Sequence, residues 1–114
     1  MKIAIPIAGE QLCVHFGHCE KFYFFNVDPE AKKIISKETL AAPPHQPGLL
    51  PRLLGEKGVN VVLAGGMGAR AQNLFEQNGI EVVIGANPAD GAPEDIVASY
   101  LSGSLRTGAN PCDH

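Results

Sequence analysis

Thiols and imidazoles crowd into a short stretch near the N-terminus of this chain. Seven residues hold two of each: Cys13, His15, His18 and Cys19. The last three residues add a third thiol and another imidazole, on Cys112 and His114. Thiolate and imidazole are the side chains that bind soft and borderline metals and metal–sulfur clusters. The six side chains are therefore candidate metal ligands, although buried cysteine also packs as a small apolar residue.

The spacing of these residues leaves several uses open. The Cys-x-His-x-x-His-Cys pattern is not a standard zinc motif and lacks paired Cys-x-x-Cys knuckles. Cys13 and Cys19 could pair as a disulfide, or act as redox-sensitive thiols if their pKa values are depressed. Cys112 and His114 could bind metal only adventitiously from a polar tail. We therefore rank the N-terminal cluster ahead of the tail.

A glycine-rich turn provides a second chemical feature. Residues 66–71 read Gly-Met-Gly-Ala-Arg-Ala and fit a G-x-G-x-x-A pattern between a predicted strand and a predicted helix. The next strand ends without the acidic residue that would hold a ribose, which argues against a dinucleotide. Free backbone N–H groups and the helix dipole still suit an anion. The candidate cofactor-binding residues are Gly65, Gly66, Gly68 and His45, the alternatives being a tight packing turn and an ordinary loop histidine.

Composition narrows the class of protein. The 114 residues suffice for one domain, and 45% hydrophobic with 18% charged residues is typical of a globular chain. A net charge of −3 without basic runs argues against nucleic acid, and no apolar run is long enough for a membrane span. The apolar start reads as a buried strand rather than a signal peptide, so we expect a cytoplasmic protein. An odd number of cysteines, three, favours ligands or free thiols over a disulfide framework.

The pattern of apolar residues predicts an α/β domain that must position these side chains. Strands are predicted at 2–7, 21–27, 33–40, 59–64 and 80–84, and helices at 48–57, 69–78 and 93–101. This β-β-β-α-β-α-β-α order gives a five-stranded mixed sheet with helices on its faces. The domain is expected over residues 1–102, followed by a flexible tail at 103–114. Right-handed crossovers would bring four loops to one sheet edge: 8–19, 41–48, 65–68 and 85–92.

Three separated motifs resemble one known family. The segment Val14-His15-Phe16-Gly17-His18 resembles the His-Phe-Gly opening of the dinitrogenase iron–molybdenum cofactor-binding domain family. Residues 64–71 are similar to its glycine turn, and residues 108–114 resemble the Cys-x-His tail of many stand-alone members. The resemblance implies a ribonuclease H-like fold and a non-catalytic role in binding a metal–sulfur cluster. It also implies that His15 is a ligand, but it assigns no role to the flanking cysteines.

The resulting hypothesis is a carrier for an iron–molybdenum cofactor or a related molybdenum, iron or copper sulfide cluster. Its partners would be the proteins that donate and accept the cluster. We expect no enzymatic activity, because the predicted strands lack the carboxylates of ribonuclease H-like nucleases and no nucleophile elbow occurs. Two alternatives remain open. One is a regulatory module that binds a nucleotide or phosphate at the glycine turn, and the other is a thiol redox or mononuclear zinc or iron protein.

Overall fold

A computed structural model describes residues 1–13, 19–41, 49–86 and 91–103 of the chain. These residues form six strands and three helices. The strands are β1 (Lys2–Ala8), β2 (Gln11–Leu12), β3 (Lys21–Asp28), β4 (Lys33–Ala41), β5 (Val61–Leu63) and β6 (Glu81–Val83). The helices are α1 (Leu49–Glu56), α2 (Ala69–Gln77) and α3 (Pro93–Ser102). The predicted α/β class is confirmed, and the five predicted strands and three helices lie within about two residues of their expected bounds.

The sheet is mixed, and its chain order reverses beside β1. The strands follow the order β4-β3-β1-β5-β6. β1 pairs antiparallel with β3 and parallel with β5, while β5 pairs parallel with β6. The predicted hairpin of β3 and β4 is also present, with β4 at the edge. The sheet therefore has a switch point at β1, and ligands of open α/β sheets commonly bind beyond the carboxyl ends of the strands at such a point.

One strand was missed by the sequence interpretation. β2 lies within residues 8–19, which the sequence predicted as a loop, and it pairs antiparallel with the end of β1 through Ile7 and Leu12. Gly9 and Glu10 form the two-residue turn between them, with φ of 60° and 69°. Positive φ at both positions is typical of the tight turns that match the twist of a hairpin. A strand of two residues carries no periodicity, and the sequence pattern therefore could not predict β2. The described residues form a sheet of six strands, one more than predicted.

Helices pack on both faces of the sheet, and each face has its own hydrophobic core. Along β3, Phe22 and Phe24 pack in the core beneath α1 and α2, whereas Tyr23 and Phe25 pack in the core beneath α3. This alternation follows from the two-residue period of a strand. Both faces of β3 are therefore covered. We call the two sides the α1/α2 face and the α3 face.

The two helix-to-strand connections before β5 and β6 are built alike. The glycines that end the preceding helices, Gly58 and Gly79, have φ of 80° and 75°. In both copies the amide after the glycine donates to the carbonyl five residues earlier, at 3.1 and 3.0 Å. The two connections are thus one structural unit used twice, and residues 53–63 resemble residues 74–84 in sequence at an offset of 21 residues. Within the described residues, none of the helices is long and apolar enough to span a membrane.

Candidate functional site

The candidate site lies at the edge of the sheet where β1, β4, β5 and β6 end and β3 begins. Ala41 at the end of β4 pairs with Lys21 at the start of β3, and Lys21 pairs with Ile7 near the end of β1. The glycine turn follows β5 directly. The described flanks of the four loops predicted to converge therefore share this edge. A mixed sheet brings these segments together although they are distant in sequence.

Cys13 and Cys19 flank the end of β1. The amide of Cys13 donates to the carbonyl of Pro6 at 2.8 Å, which extends the pairing of β2 with β1 by one residue. On the other side of β1, the amide of Glu20 donates to the carbonyl of Ile7 at 2.8 Å. We call residues 13–19 the Cys/His loop. Its two ends are thus held by hydrogen bonds to consecutive carbonyls of the buried strand β1. Neither cysteine forms a disulfide among the described residues.

The two thiols belong to the same face of the sheet. Leu12 packs in the core of the α3 face, so the alternation of side chains turns Cys13 to the α1/α2 face. Cys19 packs directly against the core of the α1/α2 face, which also contains Ala64 and Met67 from the glycine turn. Cys13 is buried at 6% exposure, and Cys19 is half-buried. The arrangement brings two sulfur donors beside the turn.

The thiol of Cys19 has an altered acidity. Burial, followed by charge repulsion from Cys13, raises the pKa of Cys19 from 9.0 to about 11. Desolvation disfavours the charged thiolate, and a second negative charge nearby disfavours it further. Cys19 therefore carries its proton at neutral pH, the opposite of the depressed pKa that a reactive redox thiol requires. A metal would have to displace this proton in order to bind.

The glycine turn continues the pairing of β5 and β6 beyond their assigned ends. Gly85 donates to the carbonyl of Gly65 at 2.8 Å, and Ala86 donates to that of Ala64 at 3.1 Å. Gly65 and Gly66 are buried, and Gly68 is half-buried. A Cβ built on Gly68 would meet no atom of the described residues within 4 Å. Among the described residues, close helix–sheet packing therefore does not explain Gly68.

Positive charge accompanies the start of α2. Gly68 is its N-cap and supplies no side-chain hydrogen bond, and the first turn contains Arg70 but no acidic residue. A cation at a helix N-terminus opposes the helix dipole, whereas α3 on the other face begins with Glu94 and Asp95, as the dipole favours. The α2 terminus thus combines uncapped N–H groups with an exposed guanidinium. An anion bound there would be stabilised by both.

Several predicted site residues lie outside the described residues. They are His15, His18, His45, Cys112 and His114. In the part of the chain that is described, no group of three His, Cys, Asp or Glu side chains could hold a metal ion. Of the predicted site residues, the structure describes Cys13, Cys19, Gly65, Gly66 and Gly68 at this edge of the sheet. The roles of these residues, of the histidines and of the tail stay predictions.

Glu10 is a residue that sequence reasoning missed. Its carboxylate accepts hydrogen bonds from the Lys21 ammonium and, at 2.7 Å, from the Tyr23 hydroxyl. Nothing in the sequence pairs Glu10 with β3, because the contact depends on the hairpin turn and on the register of β1 with β3. The glycine at position 9 was the one available signal of a tight turn at this place.

This chain is similar to known proteins in both sequence and fold. The sequence model of the dinitrogenase iron-molybdenum cofactor family matches residues 1–103. Uncharacterized protein MJ0580 of Methanocaldococcus jannaschii is 38% identical over 108 residues, covering 92% of this chain and 89% of that protein. The crystal structure of PH0822 superposes with a TM-score of 0.83 at 28% identity, covering 94% of each chain.

A more distant structure shares the fold alone. The apo form of the orange protein from Desulfovibrio gigas superposes with a TM-score of 0.68 at 22% identity, covering 96% of this chain and 94% of that one. The family match, by contrast, spans nearly the whole described domain. The resemblance carried by the Cys/His loop and the glycine turn is thereby confirmed: this chain belongs to the dinitrogenase iron-molybdenum cofactor family.

Proposed function

We propose that this protein binds and carries an anionic metal–sulfur cluster, of the iron–molybdenum cofactor type or a related molybdenum, iron or copper sulfide. One observation carries the proposal: Cys13 and Cys19 flank the end of β1, at the sheet edge where the glycine turn follows β5. Membership of the family supports a role around such clusters. The cluster is cargo, and its donor and acceptor proteins are the expected partners.

The donors on this edge suit such a cargo. Thiolates prefer soft metal centres, and Cys13 and Cys19 supply two of them. His15 lies between the two cysteines in sequence, and the resemblance to the family makes it the principal ligand, with His18 as an auxiliary. Backbone N–H groups near Gly68, together with Arg70, would face the negative sulfides. Few protein ligands are an advantage in a carrier, because the cargo has to leave.

The proposed role is non-catalytic. The residues gathered at this edge would bind and release a cluster without changing it chemically. His45 is proposed as a further contact to the cargo, and Cys112 and His114 as further metal ligands. A ribonuclease H-like classification of the fold and a cytoplasmic location are predictions of the same hypothesis.

Titration with tetrathiomolybdate, a simple anionic molybdenum sulfide, tests the proposal. The apoprotein, titrated anaerobically with copper(I) present or absent, should shift the sulfur-to-metal charge-transfer bands of the reagent and retain molybdenum after gel filtration at a fixed stoichiometry. His15→Ala and the double variant Cys13→Ser/Cys19→Ser should each lower the affinity at least about tenfold, as expected for the loss of a ligand. His45→Ala provides the comparison for a secondary contact. Unchanged binding by both ligand variants would exclude the proposed site.

A second candidate function rests on the open turn alone. Gly68 and the uncapped start of α2 could equally bind the phosphate of a nucleotide. Calorimetry with adenine nucleotides separates the two functions, since a nucleotide-binding module would release heat that does not depend on the cysteines. Absence of heat would remove this candidate and leave the cluster carrier.

A further inference from the structure

Glu10 lies in an unusual place for its residue type. It occupies the second position of the turn between β1 and β2 with φ of 69°. A side chain with a Cβ adopts this left-handed conformation at a cost, and glycine or asparagine is preferred there. Its carboxylate, however, accepts a hydrogen bond from each of two β3 side chains, Lys21 and Tyr23. The side-chain contacts thus offset a backbone conformation that glutamate alone would avoid.

The contacts span the two stems of the Cys/His loop. Glu10 comes three residues before Cys13, and Lys21 comes two residues after Cys19. The two stems lie on opposite sides of β1, so backbone pairing ties each stem to β1 but not to the other stem. The carboxylate of Glu10 joins them directly, from the α3 face of the sheet.

Further contacts hold this junction in place. The Lys37 ammonium lies 3.9 Å from the centre of the Tyr23 ring and 3.6 Å from a carboxylate oxygen of Glu94. The Tyr23 ring packs edge-to-face on Phe25 at 6.2 Å. Tyr23 therefore has a fixed ring position from which its hydroxyl can orient Glu10. The ion pair with Lys21 also lowers the pKa of Glu10, which keeps the carboxylate charged at neutral pH.

We propose that Glu10 is a positioning residue: together with Lys21 and Tyr23 it clamps the two stems of the Cys/His loop and so fixes Cys13 relative to Cys19. The inference rests on the proposed function for its purpose, because a preset pair of thiols lowers the cost of ordering the ligands when cargo binds. The clamp lies on the α3 face, whereas the thiols lie on the α1/α2 face. Glu10 therefore acts through the backbone rather than by touching the cargo.

Two variants remove the clamp with little change of shape. Glu10→Gln removes the charge, and Tyr23→Phe removes only the hydroxyl. Lys32→Gly is a control for a substitution at a turn residue of positive φ, since Lys32 has φ of 56° in the turn between β3 and β4. Glu38→Gln is a control for neutralising a carboxylate, since Glu38 forms an exposed ion pair with Lys2 at 3.9 Å.

The experiment uses two readouts on the full chain. Amide hydrogen exchange at Cys13 and Glu20 reports on the loop stems without any cargo. Cadmium(II), titrated anaerobically into proteins that all carry Cys112→Ser and followed by its thiolate charge-transfer absorption, reports on Cys13 and Cys19 together without any sulfide. The clamp predicts faster exchange at both amides and roughly tenfold weaker cadmium binding in Glu10→Gln and Tyr23→Phe, by analogy with other groups that orient metal ligands. The two controls should match the wild type.

The outcomes are separable. Faster exchange with unchanged cadmium affinity would overturn the inference and make Glu10 a turn staple only. Equal loss in the Lys32→Gly control would overturn it as well, because the effect would then be one of general stability. Weakened cadmium binding in a protein that fails to take up tetrathiomolybdate would support the clamp and reject the proposed cargo. Intact uptake of tetrathiomolybdate with unaffected cadmium binding would reject the clamp and retain the carrier.

Discussion

At the residue scale, sulfur acidity governs how the site would load. Cys19 is half-buried, and its pKa of about 11 keeps the thiol protonated under ordinary conditions. Binding of a metal must then release at least one proton, so affinity should rise with pH. The same protonation protects the empty site, because the thiolate is the form that oxidises and alkylates. A carrier that waits for cargo gains from thiols that are inert until a metal arrives.

Alkylation of Cys19 with iodoacetamide should therefore be slow up to about pH 9 and should accelerate toward pH 11. Cys13→Ser should move this profile to lower pH, because it removes the repulsion that Cys13 contributes. Mass spectrometry of digested samples separates Cys19 from the other thiols. A labelling profile centred near an ordinary thiol pKa in the wild type would contradict the buried position of Cys19.

The raised pKa of Cys19 also has a sign for stability. Between the two pKa values the folded state keeps a proton on Cys19 that the unfolded state loses. The contribution of Cys19 to the free energy of unfolding is therefore fully present below the unfolded pKa of about 9. It is lost as the pH rises toward the folded value of about 11. Unfolding in urea should therefore become easier across this window, and Cys19→Ser should flatten that part of the profile.

At the element scale, the repeated unit of helix, glycine and strand determines how the chain returns to the switch point. Gly58 has a positive φ and no described atom within 4 Å of a built Cβ, so its glycine is needed for the backbone and not for space. Gly55, one turn earlier in α1, lies in helical backbone, and its built Cβ would be 3.5 Å from the Asn78 Cβ, an ordinary contact. Gly58 is therefore constrained by its positive φ, whereas Gly55 is not.

Alanine should act in opposite directions at these two positions. Gly58→Ala should lower the free energy of unfolding by about 1 kcal/mol, the cost of a Cβ at positive φ. Gly55→Ala should raise it by about 0.5 kcal/mol, because alanine is the better helix former. Urea unfolding followed by circular dichroism measures both. The same sign for both variants would mean that the ends of α1 are not built as described.

Much of this framework is legible in the sequence, and the failures have physical causes. The apolar runs predicted each of the longer elements that the structure describes. The similarity between residues 53–63 and 74–84 matches the similar endings of α1 and α2. The strand β2 was missed because two residues carry no period, and its pairing depends on the turn at Gly9 and Glu10. The shared face of Cys13 and Cys19 could not be predicted, since it depends on that same missed strand.

At the scale of the whole molecule, charge is distributed differently on the two faces. The helices of the α1/α2 face begin without acidic residues in their first turns, whereas α3 begins with two. The thiols lie on the face whose helix starts are left without carboxylates. A net charge of −3 would otherwise repel an anionic sulfide cluster from the surface as a whole. Among the described helices, the starts of α1 and α2 are thus the ones that oppose an anion least.

The most direct test is metal and acid-labile sulfide analysis of the protein purified anaerobically from its native host. The wild type should carry molybdenum or iron together with sulfide at a fixed ratio, with a visible charge-transfer band. The variant Cys13→Ser/Cys19→Ser, expressed and purified identically, should lose metal and sulfide together. Zinc alone in the wild type, without sulfide or colour, would contradict the carrier, and so would equal metal and sulfide in the two proteins.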